Sequence, residues 1–277
     1  MSNKKEFNGP KILLFDLETA PLISYTWGLF DQNVGLEQIK NETHILSWSA
    51  KWLESEDKKT VYGPHRKVMY MDQRKAKDIE NDKVIVGELW KLLDEADIVI
   101  GQNSNSFDVK RINARFVFHG MKPPSPYKKI DTLLIAKRNF AFTSNKLAWM
   151  TDKLCTKYKK SEHKKFVGFS LWKECLAGNI EAWKEMEAYN KMDVVSLEEL
   201  YHVLSPWDQT AIDFNLYTGE SDVVTCNCGS SHFERRGFAM TTTGRYQRYS
   251  CKKCGKWSRG KKNMLTKDKR DLLKGKV

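Results

Sequence analysis

Two carboxylates close an otherwise apolar run near the start of the chain. Residues 11–19 read KILLFDLET. A short unbroken apolar run suits a strand buried on both faces. Side chains alternate along a strand, so Asp16 and Glu18 project to the same face. Two like charges that close, at the end of a buried strand, repel each other. Either one takes a proton or a cation sits between them. A helix cap or a strand-end turn would also place acids here.

The rest of the chain divides by periodicity. An aromatic loop, Tyr25 to Phe30, follows the first strand; bordering the cleft is one reading of it, and packing into the core is the expected one. Residues 44–52 alternate, with Leu46, Trp48, Ala50 and Trp52 on one face and Ser47, Ser49 and Lys51 on the other. ESEDKK reads as a turn, and Val61 and Val68 as parts of one or two further strands, which makes an antiparallel meander. Residues 83–95 have helical spacing through Ile85, Leu89, Leu92 and Leu93. A short strand from Asp97 to Ile100 and the loop GQNSNS then lead into a helix carrying Ile112 and Phe116. MKPPSP is a break, residues 129–154 read as a strand end and one or two helices, and residues 180–204 as one long helix.

That long helix holds the sharpest anomaly. At 100° per residue, Trp183, Met186, Tyr189, Leu197, Leu200 and Leu204 fall within an arc of about 120°, and Asp193 falls inside it. A carboxylate in an apolar stripe costs several kcal/mol unless it is paired or bound to metal. A buried Asp paired with Lys or Arg is the alternative. Tyr189 lies one turn earlier on the same side. Asp108 opens a helix after the Gly-Gln-Asn loop, where the helix dipole alone would favour an acid. Together, Asp16, Glu18, Asp108 and Asp193 supply hard oxygen ligands suited to Mg²⁺ or Mn²⁺. Two such ions can clamp a phosphoryl group.

Three motifs occur in order: Asp16-Leu17-Glu18, Asn103 through Phe107-Asp108, and Tyr189 through Asp193. They resemble the DEDD 3′–5′ exonucleases of the ribonuclease H-like superfamily, in the tyrosine subclass (DEDDy), and the segment DTLLIAKRNFAFTSNKL from Asp131 resembles the exonuclease regions of replicative polymerases. Ala188 stands where the histidine subclass needs His. The resemblance spans roughly residues 11–204. It implies an α/β fold, a mixed five-stranded sheet with helices on both sides, and the acids at one edge of the first strand. It also implies two Mg²⁺ or Mn²⁺ ions held by Asp16, Glu18, Asp108 and Asp193. The implied reaction is two-metal hydrolysis of the terminal phosphodiester, releasing a nucleoside monophosphate. Tyr189, whose unperturbed pKa of about 10 makes it a poor base at pH 7, is assigned to orient the attacking water. Asn103 and Phe107 are expected to contact the strand end, and Thr19 the terminal base.

The 277 residues carry a formal charge of +12, but not evenly. Residues 222–277 hold 15 Lys or Arg against 4 Asp or Glu, and residues 1–221 hold 32 against 31. A neutral body thus carries a strongly basic C-terminal piece. A hydrophobic share of 40% excludes a chain disordered throughout. No apolar run approaches the ~20 residues that span a bilayer, and the polar stretch Met1 to Pro10 has no signal-peptide core. A cytoplasmic location, away from any membrane, is expected.

Cys226-Asn-Cys228 and Cys251-Lys-Lys-Cys254 are each followed by Gly. Paired thiolates at this spacing read as a zinc ribbon, two knuckles around a hairpin, with four thiolates on one structural Zn²⁺. Disulfides are the alternative. The first knuckle is one residue shorter than C-x-x-C, which makes His232 a substitute ligand to consider, though a surface position is expected for it. Cys155 and Cys175 read as buried apolar residues. The segment GRYQRYSCKKCGKWSRGKK interleaves Arg and Lys with Tyr246, Tyr249 and Trp257, which suits phosphate neutralisation and base stacking.

The expected organisation is an exonuclease domain over 1–217, a linker over Thr218 to Asp222, a zinc ribbon over 223–260 and a basic flexible tail over 261–277. Chains with this layout resemble bacteriophage-encoded exonucleases. The expected activity is 3′–5′ hydrolysis of DNA, with the ribbon holding nucleic acid and a separate DNA polymerase or replication protein as a partner. The alternatives are an RNA exonuclease and a nucleic-acid-binding protein with a non-catalytic nuclease fold.

Overall fold

The first strand, β1 (Ile12–Thr19), is the middle strand of the main sheet. The computed structural model describes residues 9–158, 165–218 and 223–275. After β1 come the short strands β2 (Ile23–Ser24) and β3 (Ile39–Asn41), then β4 (Ile45–Trp52) and β5 (Met69–Asp72). Helix α1 (Lys83–Glu95), strand β6 (Ile98–Gly101), helix α2 (Asp108–Phe118) and strand β7 (Lys128–Asp131) follow. Helices α3 (Thr132–Asn139), α4 (Leu147–Leu154), α5 (Ser170–Leu176) and α6 (Ile180–Leu204) come next in the described body, followed by short 3-10 turns at Ser205–Trp207 and Phe214–Tyr217. The main sheet has the order β5-β4-β1-β6-β7. β4 and β5 run antiparallel as the expected meander, while β6 and β7 run parallel to β1. This is the mixed five-stranded sheet that the resemblance implied. Val61 forms only a lone bridge to Glu54, and the last meander strand starts at Met69, just past Val68.

Alternation along β1 separates two apolar layers. Leu13, Phe15 and Leu17 pack with Ile85, Leu89 and Leu93 of α1 and with Val109, Ile112 and Phe116 of α2. Ile12 and Leu14 pack on the other side with Val194, Leu197, Leu200 and Leu204 of α6. Every residue of β4 is buried, including its polar face. The alternation predicts Leu46 beside Trp48, yet Leu46 packs with Cys175, Trp183 and Met186 of the α5–α6 layer. The cause is a register shift: Glu18 opposes Ser47 and Thr19 opposes Ile45, so Leu46 is the extra residue of a bulge. Cys155 and Cys175 are buried as expected. No described helix is long and apolar enough to cross a membrane.

The C-terminal module is a three-stranded antiparallel sheet, one strand more than a hairpin. Its strands are β8 (Phe233–Met240), β9 (Arg245–Cys251) and β10 (Trp257–Asn263), in the order β10-β9-β8. The boundary expected at 260 therefore falls inside β10, because Asn263 still pairs with Tyr246. The stretch expected as a flexible tail also holds a short helix, α7 (Lys267–Asp271), capped by the Thr266 side chain on the Lys269 N–H. Most of the expected linker, 219–222, lies outside the described residues.

One buried carboxylate fastens the body around β4. Asp82 is fully buried at the start of α1. It accepts hydrogen bonds from Ile45 N–H at 2.7 Å and from Arg115 Nε and Nη2 at 3.1 and 2.7 Å, with His119 Nε2 at 2.5 Å. Losing one partner of a buried charge pair strands the other. Asp82→Ala is expected to cost roughly 3–5 kcal/mol, read as a lower midpoint in urea unfolding.

Candidate active site

Asp16 and Glu18 continue the face of β1 that carries Ile12 and Leu14, so they point into the α6 layer as strand alternation requires. Asp193 meets them from α6. One carboxylate oxygen from each of Asp16, Glu18 and Asp193 lies within 4.8 Å of the others. Glu18 and Asp193 are buried and Asp16 is half-buried. Three converging carboxylates form a hard, oxygen-only donor set, which fits a divalent cation of the Mg²⁺ or Mn²⁺ kind.

Asp108 stands beside this trio rather than within it. β6 pairs with β1 only as far as Leu14, so the Leu17 N–H lies past the end of that ladder. The Asp108 carboxylate accepts it at 3.1 Å, against the backbone between the two strand acids. Burial pushes the Asp108 carboxyl up to about 7, with the Asp131 charge adding to it, although the Leu17 N–H favours the ionised form. A bound cation would favour the carboxylate instead.

The other expected residues are placed around this centre. Tyr189 lies half-buried one turn before Asp193, its ring edge-on to Trp172 at 6.3 Å. Asn103 adopts a left-handed conformation (φ 59°), which Asn tolerates better than most residues. Its carbonyl accepts the N–H groups of Ser106 and Phe107. Phe107 is 37% exposed, with the Arg111 guanidinium over its ring. Thr19 lines a groove with His44, Arg111 and Phe118. The loop from Tyr25 to Phe30 does not enter the core: Trp27 is 98% exposed, and Tyr25 and Phe30 are also exposed. With β2 and β3 pairing only with each other, the main sheet leaves these rings no buried face to fill.

Residues 55–205 match the family model of the RNase_H superfamily. The chain belongs to that superfamily. The matched segment contains Asp108, Tyr189 and Asp193 and begins after Asp16 and Glu18. No curated protein matches the chain. Among solved structures it is similar to a family B DNA polymerase from the hyperthermophilic archaeon Pyrobaculum calidifontis, at 12% identity and a TM-score of 0.46. That alignment covers 71% of this chain and 25% of the polymerase, so the chain spans about a quarter of the polymerase's length.

Two residues of this RNase_H superfamily chain organise the site without having stood out in the sequence. Asn190 is fully buried, and its Nδ2 donates to Asp16 Oδ2 at 2.6 Å. Its Oδ1 accepts from Ser47 Oγ of β4 at 3.4 Å. Asn190 is three residues before Asp193, so the helical spacing that exposed Asp193 also places Asn190 on the site. Asp131 holds the 103–107 loop: its carboxylate accepts the N–H groups of Asn103 (2.9 Å) and Asn105 (3.1 Å) and caps α3 at Leu133.

The four cysteines converge as a second donor set. One sulfur from each of Cys226, Cys228, Cys251 and Cys254 lies within 4.8 Å of the rest. Cys226 and Cys254 are 3.6 Å apart, and Cys228 and Cys251 are 3.7 Å apart. Zn–S bonds of about 2.3 Å in a tetrahedron give sulfur–sulfur edges of about 3.8 Å, so the donor set fits Zn²⁺. All four are free thiols rather than disulfides, and His232 is exposed. The short first knuckle has its reason in Asn227, the single spacer residue. Asn227 Oδ1 accepts the Phe214 N–H at 3.1 Å, its Nδ2 donates to the Ile212 carbonyl at 2.7 Å, and its own carbonyl faces Tyr62 Oη at 3.5 Å. The spacer thereby docks the knuckle on the body.

Two outcomes follow from this geometry. Asn190→Ala is expected to weaken Mn²⁺ binding roughly 10- to 100-fold, since a group that orients a ligand carries that much affinity, read by calorimetric titration. The second concerns pH in metal-free protein. Asp108 has a folded pKa of about 7, against an unfolded value of about 3.9. Its contribution to stability is therefore fully present below about pH 4 and is lost as pH rises through about 7. Thermal unfolding in a chelator should show this decline in the wild type and a shallower one in Asp108→Asn.

Proposed function

We propose that the protein is a metal-dependent 3′–5′ exonuclease that hydrolyses DNA from its end and holds nucleic acid with its basic C-terminal module. The observation that carries this reading is the convergence of Asp16, Glu18 and Asp193, with Asp108 hydrogen-bonded to the backbone between the two strand acids. Superfamily membership supports a nuclease, and the three ordered motifs support the 3′–5′ direction and the tyrosine subclass.

In this reading Asp16, Glu18, Asp108 and Asp193 hold two divalent cations, Mg²⁺ or Mn²⁺. Such cations activate a water at neutral pH and neutralise charge on the phosphoryl oxygens. Asp16 is kept aimed by Asn190. Tyr189 orients the attacking water, and its pairing with Trp172 limits where the ring can turn. Asn103 and Phe107 border the strand end on a loop pinned by Asp131, and Thr19 approaches the terminal base. Cys226, Cys228, Cys251 and Cys254 hold a structural Zn²⁺.

The test is digestion of single- and double-stranded DNA and RNA, labelled at either end, with and without Mg²⁺. Release of mononucleotides from the 3′ end of DNA is expected, lost on chelation. Asp16→Ala and Asp108→Ala should each reduce the rate on the order of 10³-fold, the effect of several kcal/mol on the barrier. Tyr189→Phe should reduce it less. Unchanged rates in both Asp variants would overturn the catalytic assignment, and faster digestion of RNA would reassign the substrate.

A further inference from the structure

The two faces of the C-terminal sheet differ in character. Register sets Trp257 opposite Ser250, Arg259 opposite Arg248, and Ala239 opposite Tyr246. Paired residues share a face, and faces alternate along a strand. Tyr246, Arg248, Trp257 and Arg259 therefore lie together, while Tyr249 lies on the opposite face. Arg236 joins the first group. Its guanidinium carbon is 5.5 Å from the Trp257 ring centre, and that of Arg248 is 4.6 Å away. Arg259 stands 4.6 Å over the Tyr246 ring. Glu234 is the acid on this face, paired opposite Ser250.

Part of this face, including Trp257, Arg248 and Arg259, lines a groove of about 650 Å³ whose other wall is Gln209, Ala211 and Asp213 of the body. That volume is in the range of about 300–1,000 Å³ typical of ligand clefts. Asp213 spends one carboxylate oxygen on the Asn215 N–H and side-chain amide. The walls are tied together by Asn227, and by Asn215, whose Nδ2 donates to the Thr225 carbonyl and whose Oδ1 accepts the Thr225 N–H. The groove is thus a joint product of the two units.

The lining selects its ligand by chemistry. Guanidinium groups call for anions, and aromatic rings, with Trp257 45% exposed, call for flat apolar partners. Single-stranded nucleic acid offers both along one chain, as phosphates and as bases whose faces are open to stacking. In a duplex the bases are already stacked on each other. We propose that this groove is a second binding site, which holds a single-stranded stretch of nucleic acid with a base on Trp257 and phosphates on Arg248 and Arg259. The proposal rests on the nuclease reading and narrows its substrate class to strands long enough to reach both places. Asp193 lies eleven residues before Leu204, about 16 Å along α6, and the body wall of the groove begins five residues after that helix, at Gln209.

The test uses the full-length, zinc-loaded protein. Anisotropy titrations without Mg²⁺ compare a labelled single-stranded oligonucleotide with a duplex of equal length, at several salt concentrations. Trp257→Leu should weaken single-strand binding roughly 5- to 100-fold, leave the salt slope unchanged, and be largely rescued by Trp257→Phe. The double variant Arg248→Ala with Arg259→Ala should lower the slope by roughly 1.4. Hydrolysis of a dinucleotide in Mg²⁺ should be the same in all of them. Zinc content is measured throughout, and the Arg248→Ala with Arg259→Ala variant carries the test should Trp257→Leu lose its metal. Wild-type affinity in the leucine variant, or equal losses for duplex and single strand, overturns the groove while leaving a functioning nuclease intact. A wild-type protein that binds but hydrolyses nothing removes the nuclease reading instead.

Discussion

Three carboxylates brought within 4.8 Å of one another, two of them buried, repel unless something compensates them. The body is arranged so that they cannot move apart. Asp16 and Glu18 are fixed by a strand paired with β4 from Leu13 to Glu18, just before the bulge. Asp193 is fixed by α6, which is clamped to the sheet on either side of it. Lys51 of β4 binds Glu198 at 2.6 Å, and Arg74 binds Glu187 at 2.6 Å while also pairing with Asp72 of β5. The Lys51 pair is largely buried, so losing either member would strand a charge. Those cations are thereby committed to Glu198, Glu187 and Asp72. The acids are held close by packing from outside, so a divalent cation of the kind proposed would find its ligands already together.

A similar economy governs the C-terminal module. A small sheet with few large apolar residues needs a staple, and the four converging sulfurs are suited to provide one. The module is also docked, through Asn227 and Asn215, to the segment that follows α6. Residues 222–277 carry nearly all of the chain's excess positive charge. Docked to the body, the module shares with residues 209–213 the groove lined by Trp257, Arg248 and Arg259.

Much of this was legible from residues alone. Strand alternation put Asp16 and Glu18 on one face, and helical spacing put Asp193 in the apolar stripe of a helix whose limits, 180 and 204, the structure reproduces. Both inferences are local, because they depend only on periodicity. The aromatic loop failed for the opposite reason: Trp27 is apolar, but no element of the main sheet offers it a face. Leu46 failed because a bulge inserts one residue, and period-two reasoning carries no memory of an insertion.

The chain's own order of residues thus determined which acids and which cysteines were available, and on which faces of their strand or helix they would stand. Tertiary structure alone decided what they meet. Asp16 and Asn190 are 174 residues apart, as are the partners of no local pattern, and only the packing of α6 across β1 brings them to 2.6 Å. The role of Asn227, a spacer between two cysteines, likewise depends on groups outside its own knuckle, at Ile212 and Phe214 and, 165 residues away, at Tyr62. Periodicity specifies direction relative to an element's own axis, whereas contact between elements is set by how their buried faces fit together, and that is a property of the folded whole.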